Sequence, residues 1–340
     1  MSILSKGARF FGRTLPFAWI TLVASACSQA KSPVMGAAET ERPDSRLSQG
    51  DHTAMIGGMP IVYHVYGKGP VVFAHPGGPG GGWGYLRMRE VEQFATVVYI
   101  EPIGTGASGR LSNPAEYSRL LDAANVDGLR AHVGIEKVML LGHSYGGFVA
   151  LTYALTYPDH VGALILFDTS PTTGPDFQKD VASNMEWFKN EPWFGDASAA
   201  LDEVDHVQTD EAMTKTFTRA VPLYIANWSQ RRQELEGKLP AFQLYVERNH
   251  RQKANMPQDQ PVPKGPAYDV RPRLGEIKVP TLIEVGEKDF ICSAKMADIM
   301  HRGIPGSRLV VLPNTGHLAH VETPREHARV IREFLGQVAR

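Results

Sequence analysis

The sequence predicts an α/β fold: a mostly parallel, doubly wound sheet with an inserted helical cap. Three observations carry this. Short apolar runs alternate with helix-periodic segments, the rhythm of parallel βαβ units. The runs are apolar throughout rather than at every second residue, as in strands covered on both faces. The rhythm stops after Ser170 and resumes at Pro280. The stretch between is helical and polar.

The elements follow in order. Lys6, Arg9 and Arg13 precede an apolar run, Leu15 to Ala26, too short to span a bilayer comfortably. Ala24-Ser25-Ala26 then offers a small-residue cleavage site. Basic, apolar and small-residue regions in this order predict an export signal over 1–26. "ASACSQ" resembles a bacterial lipoprotein signal, with Ala24 where Leu is usual. It makes Cys27 the candidate lipidation site and possible membrane attachment point. Residues 27–50 are polar and contain proline, and are expected to be a flexible tether.

The regular pattern starts near Met55. "IVYHVYG" and "VVFAH" read as strands joined by Gly-Lys-Gly-Pro. "YLRMREVEQF" has helical spacing. "ATVVYIEP" and "KVMLLGH" read as buried strands around a helix that ends at Gly134. "FVALTYALTY" is a helix stopped by Pro158, and "GALILFDTS" a further strand. "PTLIEVGEKD", a helix near Ala294 to Ile304, "SRLVVLPNTGH" and "PREHARVIREFLGQV" close the pattern. The domain organisation expected is a core over 51–170 and 280–340, with a cap over 171–279. The cap is aromatic and unevenly charged. Residues 171–211 hold ten acids against two lysines, and 212–279 hold twelve basic residues against six acids.

Ser144 lies in Gly-x-Ser-x-Gly, with a strand before it and a helix after it. That is the setting of a nucleophile elbow, a turn too tight for side chains two residues either side of the serine. A serine needs a base. Of twelve histidines, His317 follows a strand near the C-terminus, with His320 as its rival. The base needs an acid. Asp289 leaves a strand end, and Glu287 is the alternative. An oxyanion hole would take the Tyr145 amide and one from the loop "HPGGPGGGW", with Gly78 the candidate.

With these parts in place, the chain from about Met55 onward resembles the α/β-hydrolase superfamily. The "HPGGPGGGW" loop is similar to the His-Gly-Gly-Pro-Gly loop of proline iminopeptidases. The resemblance implies a triad of Ser144, Asp289 and His317, an oxyanion hole at Gly78 and Tyr145, and no cofactor. There are departures. Pro76 separates His75 from the glycines, and "EPIGTGASG" replaces Asp-Gln-Arg-Gly-Ser-Gly. Tyr145 stands where tryptophan is frequent. Those peptidases read a free amine with carboxylates of the cap. Glu186 and Glu191, beside Trp187 and Trp193, are the candidates for that, against a solvated acidic face.

Composition bounds the partners. A net charge of -1 over 340 residues gives no electrostatic case for nucleic acid. The two cysteines, Cys27 and Cys292, form no zinc-like cluster, so no metal is expected. The reaction expected is cleavage of an amide or ester in a small molecule or short peptide. Aminopeptidase or amidase comes first, and carboxylesterase or lactonase for apolar acyl groups second. A non-catalytic binding protein on the same fold is the reading from another class.

Overall fold

The computed structural model describes residues 43–249 and 268–338. The expected export signal, Cys27 and most of the expected tether lie outside these residues. Eight strands form one sheet among the described residues. They are β1 (Gly50–Ile56), β2 (Met59–Gly67), β3 (Val71–His75), β4 (Thr96–Ile100), β5 (Val138–His143), β6 (Val161–Phe167), β7 (Thr281–Gly286) and β8 (Arg308–Leu312). The spatial order is β1-β2-β4-β3-β5-β6-β7-β8. β2 pairs antiparallel with β1 and β4, and all later neighbours are parallel.

Helices α1 (Arg119–Val133) and α2 (Tyr145–Thr156) belong to the first half of the core. The cap holds α3 (Pro175–Met185), α4 (Phe194–Val204), α5 (Asp210–Ala220) and α6 (Trp228–Leu235). After it come α7 (Ala294–Gly303), α8 (Ala319–Glu322) and α9 (Pro324–Val338). α1 shows why such boundaries are readable. The Ser118 hydroxyl accepts from the Leu121 amide at 3.2 Å, and Gly134 ends the helix at φ 77°.

The strands feed two apolar layers. On β5, Val138 and Leu140 enter the layer containing α1, α2 and α7. Leu141 enters the opposite layer, with Val330, Ile331 and Phe334 of α9. This two-residue alternation in a run apolar on both faces is what a central parallel strand requires. Among the described residues no helix is long and apolar enough to cross a membrane.

Two expectations need correction. Tyr85–Phe94 is not a continuous helix but a 3-10 turn over Trp83–Leu86 followed by turns. Tertiary bonds replace the helical ones. The Met88 amide donates to Tyr99 Oη at 2.8 Å, and Tyr99 Oη donates to Glu92 at 3.0 Å. Tyr85, Leu86, Met88 and Val91 still bury together, which explains the helical spacing. The tether also ends earlier than residue 50. Leu47 packs on the core, the Arg46 guanidinium donates to the His132 carbonyl, and Tyr63 Oη donates to the Arg46 carbonyl at 2.9 Å. β1 then starts at Gly50 as an edge strand. Only Ala54 of it is buried, so it carries little apolar signal.

Candidate active site

The ends of β5, β6, β7 and β8 bring the site together. Ser144 follows β5 at φ 54°, ψ −121°, a region a non-glycine residue seldom occupies. Three bonds hold it there. Its amide donates to the Phe167 carbonyl at 3.0 Å, and its carbonyl accepts from Gly147 N at 2.9 Å and Thr169 Oγ1 at 2.7 Å. The flanking glycines are obligatory, though not as mutual partners. A Cβ on Gly142 would lie 2.2 Å from the Gly146 carbonyl oxygen, whereas one on Gly146 would lie 2.2 Å from the His75 carbonyl oxygen.

His317 follows β8. Its Nδ1 meets Asp289 Oδ2 at 2.8 Å, with both side chains buried. A carboxylate accepts, so Nδ1 carries the hydrogen and Nε2 is the nitrogen left with a lone pair. Asp289 Oδ1 is held by the amides of Ile291 at 3.0 Å and Cys292 at 2.9 Å. The alternatives separate here. Glu287 turns outward and accepts from the Asn314 amide at 3.0 Å, while His320 Nε2 meets the Tyr85 carbonyl at 2.9 Å. Asp289 is therefore the acid that meets His317. The His317 loop is pinned by Glu322, which accepts from Gly316 N at 2.8 Å and Ala226 N at 2.9 Å. Burial pushes the Glu322 carboxyl up to about 7.

The "HPGGPGGGW" loop lies directly on the serine. A Cβ on Gly77 would sit 2.9 Å from Ser144 Cβ. Gly78, at φ 125°, lines the same cavity as Ser144, Tyr145 and His317. The sequence motifs give no catalytic role to Tyr85 or His143. The two form a relay. The His317 carbonyl can only accept, so His143 Nε2 donates to it at 2.9 Å. His143 Nδ1 then accepts from Tyr85 Oη at 2.7 Å, and Tyr85 Oη accepts from Gly77 N at 2.6 Å. One chain of bonds thus joins the glycine loop, the serine turn and the histidine loop. Desolvation by burial holds His143 well below the usual imidazole range, so it stays neutral and the relay keeps its polarity.

Burial, together with the neighbouring His327 and His317, lowers His320 to about 3. The sign follows from linkage. The folded protein keeps His320 neutral while the unfolded chain protonates below about 6.5, so stability is lost as pH falls from there toward 3. At pH 5 the loss is about 2 kcal/mol. His320→Gln keeps a donor toward the Tyr85 carbonyl without this linkage. Urea unfolding at pH 7 and pH 5 is expected to show the wild type losing about 2 kcal/mol more than the variant. Equal losses would contradict this account of His320.

The cavity over Ser144 has a volume of about 330 Å³ and is lined by core and cap together. Phe177, Val181, Leu201, Val204 and Phe217 come from the cap, and Ile291 and Leu318 from the core. No Asp, Glu, Lys or Arg among the described residues lines it. The expectation for Glu186, Trp187, Glu191 and Trp193 is therefore corrected. All four lie on the connection from α3 to α4, and none lines the cavity. Glu186 pairs with Lys189 at 3.1 Å. Glu191 accepts from Ser229 Oγ, which accepts from Trp193 Nε1 at 3.0 Å. Trp187 is half-exposed. The uneven cap charge resolves in part as internal pairing, with Arg219 reaching Asp196 and Glu203 at 2.6 Å each. Two metal-like clusters occur among the described residues, His143–Asp168–His317 and Asp289–Cys292–His317. Both draw on His317, whose Nδ1 is already bonded to Asp289.

Comparison with known proteins agrees with this fold. Residues 70–324 match the family described as alpha/beta hydrolase fold. A proline iminopeptidase of Saccharolobus solfataricus is 28% identical over 82% of this chain and 88% of its own. A 2-hydroxy-6-oxo-6-phenylhexa-2,4-dienoate hydrolase of Comamonas testosteroni is 29% identical over 82% of this chain and 91% of its own. Among solved structures, a proline iminopeptidase of Mycobacterium smegmatis superposes with a TM-score of 0.64 at 19% identity, covering 85% of this chain and 98% of its own. A thermophilic esterase of Thermogutta terrifontis gives 0.62 at 24%, with the same coverage.

Proposed function

The chain belongs to the α/β-hydrolase family, and on that footing we propose that this serine hydrolase cleaves esters, lactones or amides whose acyl part is uncharged and apolar. One observation carries the choice of substrate: the cavity over Ser144 has a mostly apolar lining, its polar members uncharged amides and hydroxyls beside the histidines, without a carboxylate among its described residues. A substrate ammonium there would lose its hydration without gaining a counter-charge, a penalty of several kcal/mol.

In the proposed mechanism Ser144 Oγ attacks the carbonyl carbon as His317 Nε2 takes the hydroxyl proton. Asp289 keeps the other ring nitrogen protonated and stabilises the imidazolium. The Gly78 and Tyr145 amides donate to the developing oxyanion. His317 returns its proton to the leaving group, and water then attacks the acyl-enzyme by the reverse route.

A second reading, an aminopeptidase for N-terminal proline, is favoured by the proline iminopeptidase relatives at 28% identity. Matched substrates separate the two. The proposal expects kcat/KM for short apolar acyl esters to exceed that for proline anilide at least tenfold. It also expects acetylation of the proline nitrogen to leave the anilide rate unlowered. A free-amine substrate preferred tenfold over its acetylated form would overturn it in favour of the second reading.

We further propose that the protein is exported through residues 1–26, with Cys27 as lipid acceptor. Fractionation with lipid labelling should place the wild type at the envelope and release Cys27→Ala from it. A full-length cytosolic product would refute this.

A further inference from the structure

Asp168 is the residue after β6. It is fully buried and held at φ 46°. That conformation is unusual for a side chain of any size, though aspartate tolerates it better than most. Its amide donates to the Glu284 carbonyl at 2.9 Å, and its Oδ1 accepts from Gly286 N at 2.8 Å. Oδ2 is buried and has no hydrogen-bond partner. The sheet explains what this oxygen is near. Phe167, just before Asp168, pairs with His143 on one side and Glu284 on the other. Asp168 therefore stands between the strand end that delivers Ser144 and the one that delivers Asp289. His317 reaches the same place, with its Nδ1 on Asp289. A carboxylate oxygen of Asp168 and ring nitrogens of His143 and His317 lie within 4.8 Å of one another.

We propose that Asp168 is a second carboxyl of the His317 site, a positioning residue that stabilises the His317 imidazolium when Asp289 loses its charge. The inference rests on the triad reading of Ser144, His317 and Asp289. Two neighbouring buried carboxyls oppose each other's ionisation. Asp289 is bonded to a histidine and two amides, whereas Asp168 is bonded to one amide. The groups facing Asp168 are the acids Asp289, Glu284 and Glu322, the Cys292 thiol, and the imidazoles His143 and His317. Burial and the charge of Asp289 raise Asp168 well above the usual carboxylate range, so it rests as a neutral acid. Removing the charge of Asp289 removes the principal opposing anion. Burial still opposes ionisation, but without that anion Asp168 gives up its proton to solvent at lower pH than before, and once ionised it presents a carboxylate to His317.

The test compares Asp289→Asn with Asp289→Asn/Asp168→Asn, each checked for folding by thermal unfolding. Loss of a triad acid can cost about 10⁴-fold in kcat. The single variant is expected to lose only about a hundredfold, with kcat/KM rising as pH increases and Asp168 ionises. The double variant is expected to fall at least tenfold further and to lack that rise. Equal activities of single and double variants at every pH would overturn the proposal. If the double variant does not fold, the single variant decides alone, and residual activity without the pH rise would overturn it. Ser144→Ala distinguishes the two levels. Activity retained there sinks the triad itself, whereas an inactive Ser144→Ala with matching single and double variants sinks only the role of Asp168.

Discussion

Ser144→Ala lowers kcat by a factor on the order of 10⁶, the scale on which removal of an activated serine from a triad acts. The fold should survive the change. The bonds that hold the turn are made by the backbone of residue 144, through Phe167, Gly147 and Thr169. Alanine at φ 54° keeps these and removes only the hydroxyl. Activity should therefore vanish with the thermal unfolding midpoint within a few degrees of wild type. Turnover at more than about a thousandth of the wild-type rate would mean that another group attacks the substrate.

His317→Ala is expected to match that loss, again on the order of 10⁶. A serine hydroxyl without a base is a weak nucleophile, and His320 cannot substitute. Its Nε2 is bonded to the Tyr85 carbonyl, and its low pKa of about 3 makes it a poor proton acceptor. The informative variant is Ser144→Ala/His317→Ala. Residues that act as one unit are not additive, so the double variant should be no slower than either single one. What remains comes from binding and from the amides of Gly78 and Tyr145. A double variant slower by the product of the two losses would show that Ser144 and His317 act independently.

Much of this site was legible from the sequence, because the chemistry demands fixed residue types at strand ends. Ser144, Asp289 and His317 each follow an apolar run, and the structure brings Asp289 and His317 to 2.8 Å. The parallel sheet was legible for the same reason: a central strand such as β5 is apolar on both faces. β1 was missed because an edge strand with one buried residue leaves no such trace. The Tyr85–Phe94 segment misled because helical spacing also describes a turn that buries the same side chains through tertiary bonds.

The cap was the least legible part. Its acids and tryptophans looked like an amine-binding set, yet Glu186 pairs with Lys189, and Glu191 and Trp193 both bond Ser229 of α6, away from the cavity. What lines the cavity is a set of ordinary apolar residues on several helices, and nothing in sequence spacing marks which faces meet. Asp168 was similarly silent. An aspartate after a strand is unremarkable until its neighbours across the sheet are known. The relay through Tyr85 and His143 joins residues 58 positions apart and depends on a turn rather than a motif.

The central claim, that Ser144 carries the acyl group, is tested most directly by intact-mass and peptide analysis of enzyme quenched during turnover of a slowly hydrolysed apolar acyl ester. The result expected is a mass increase of one acyl group, located on the peptide containing Ser144 and absent from Ser144→Ala. An acyl group on another residue of the cavity, such as Cys292, or turnover without any adduct, would contradict it.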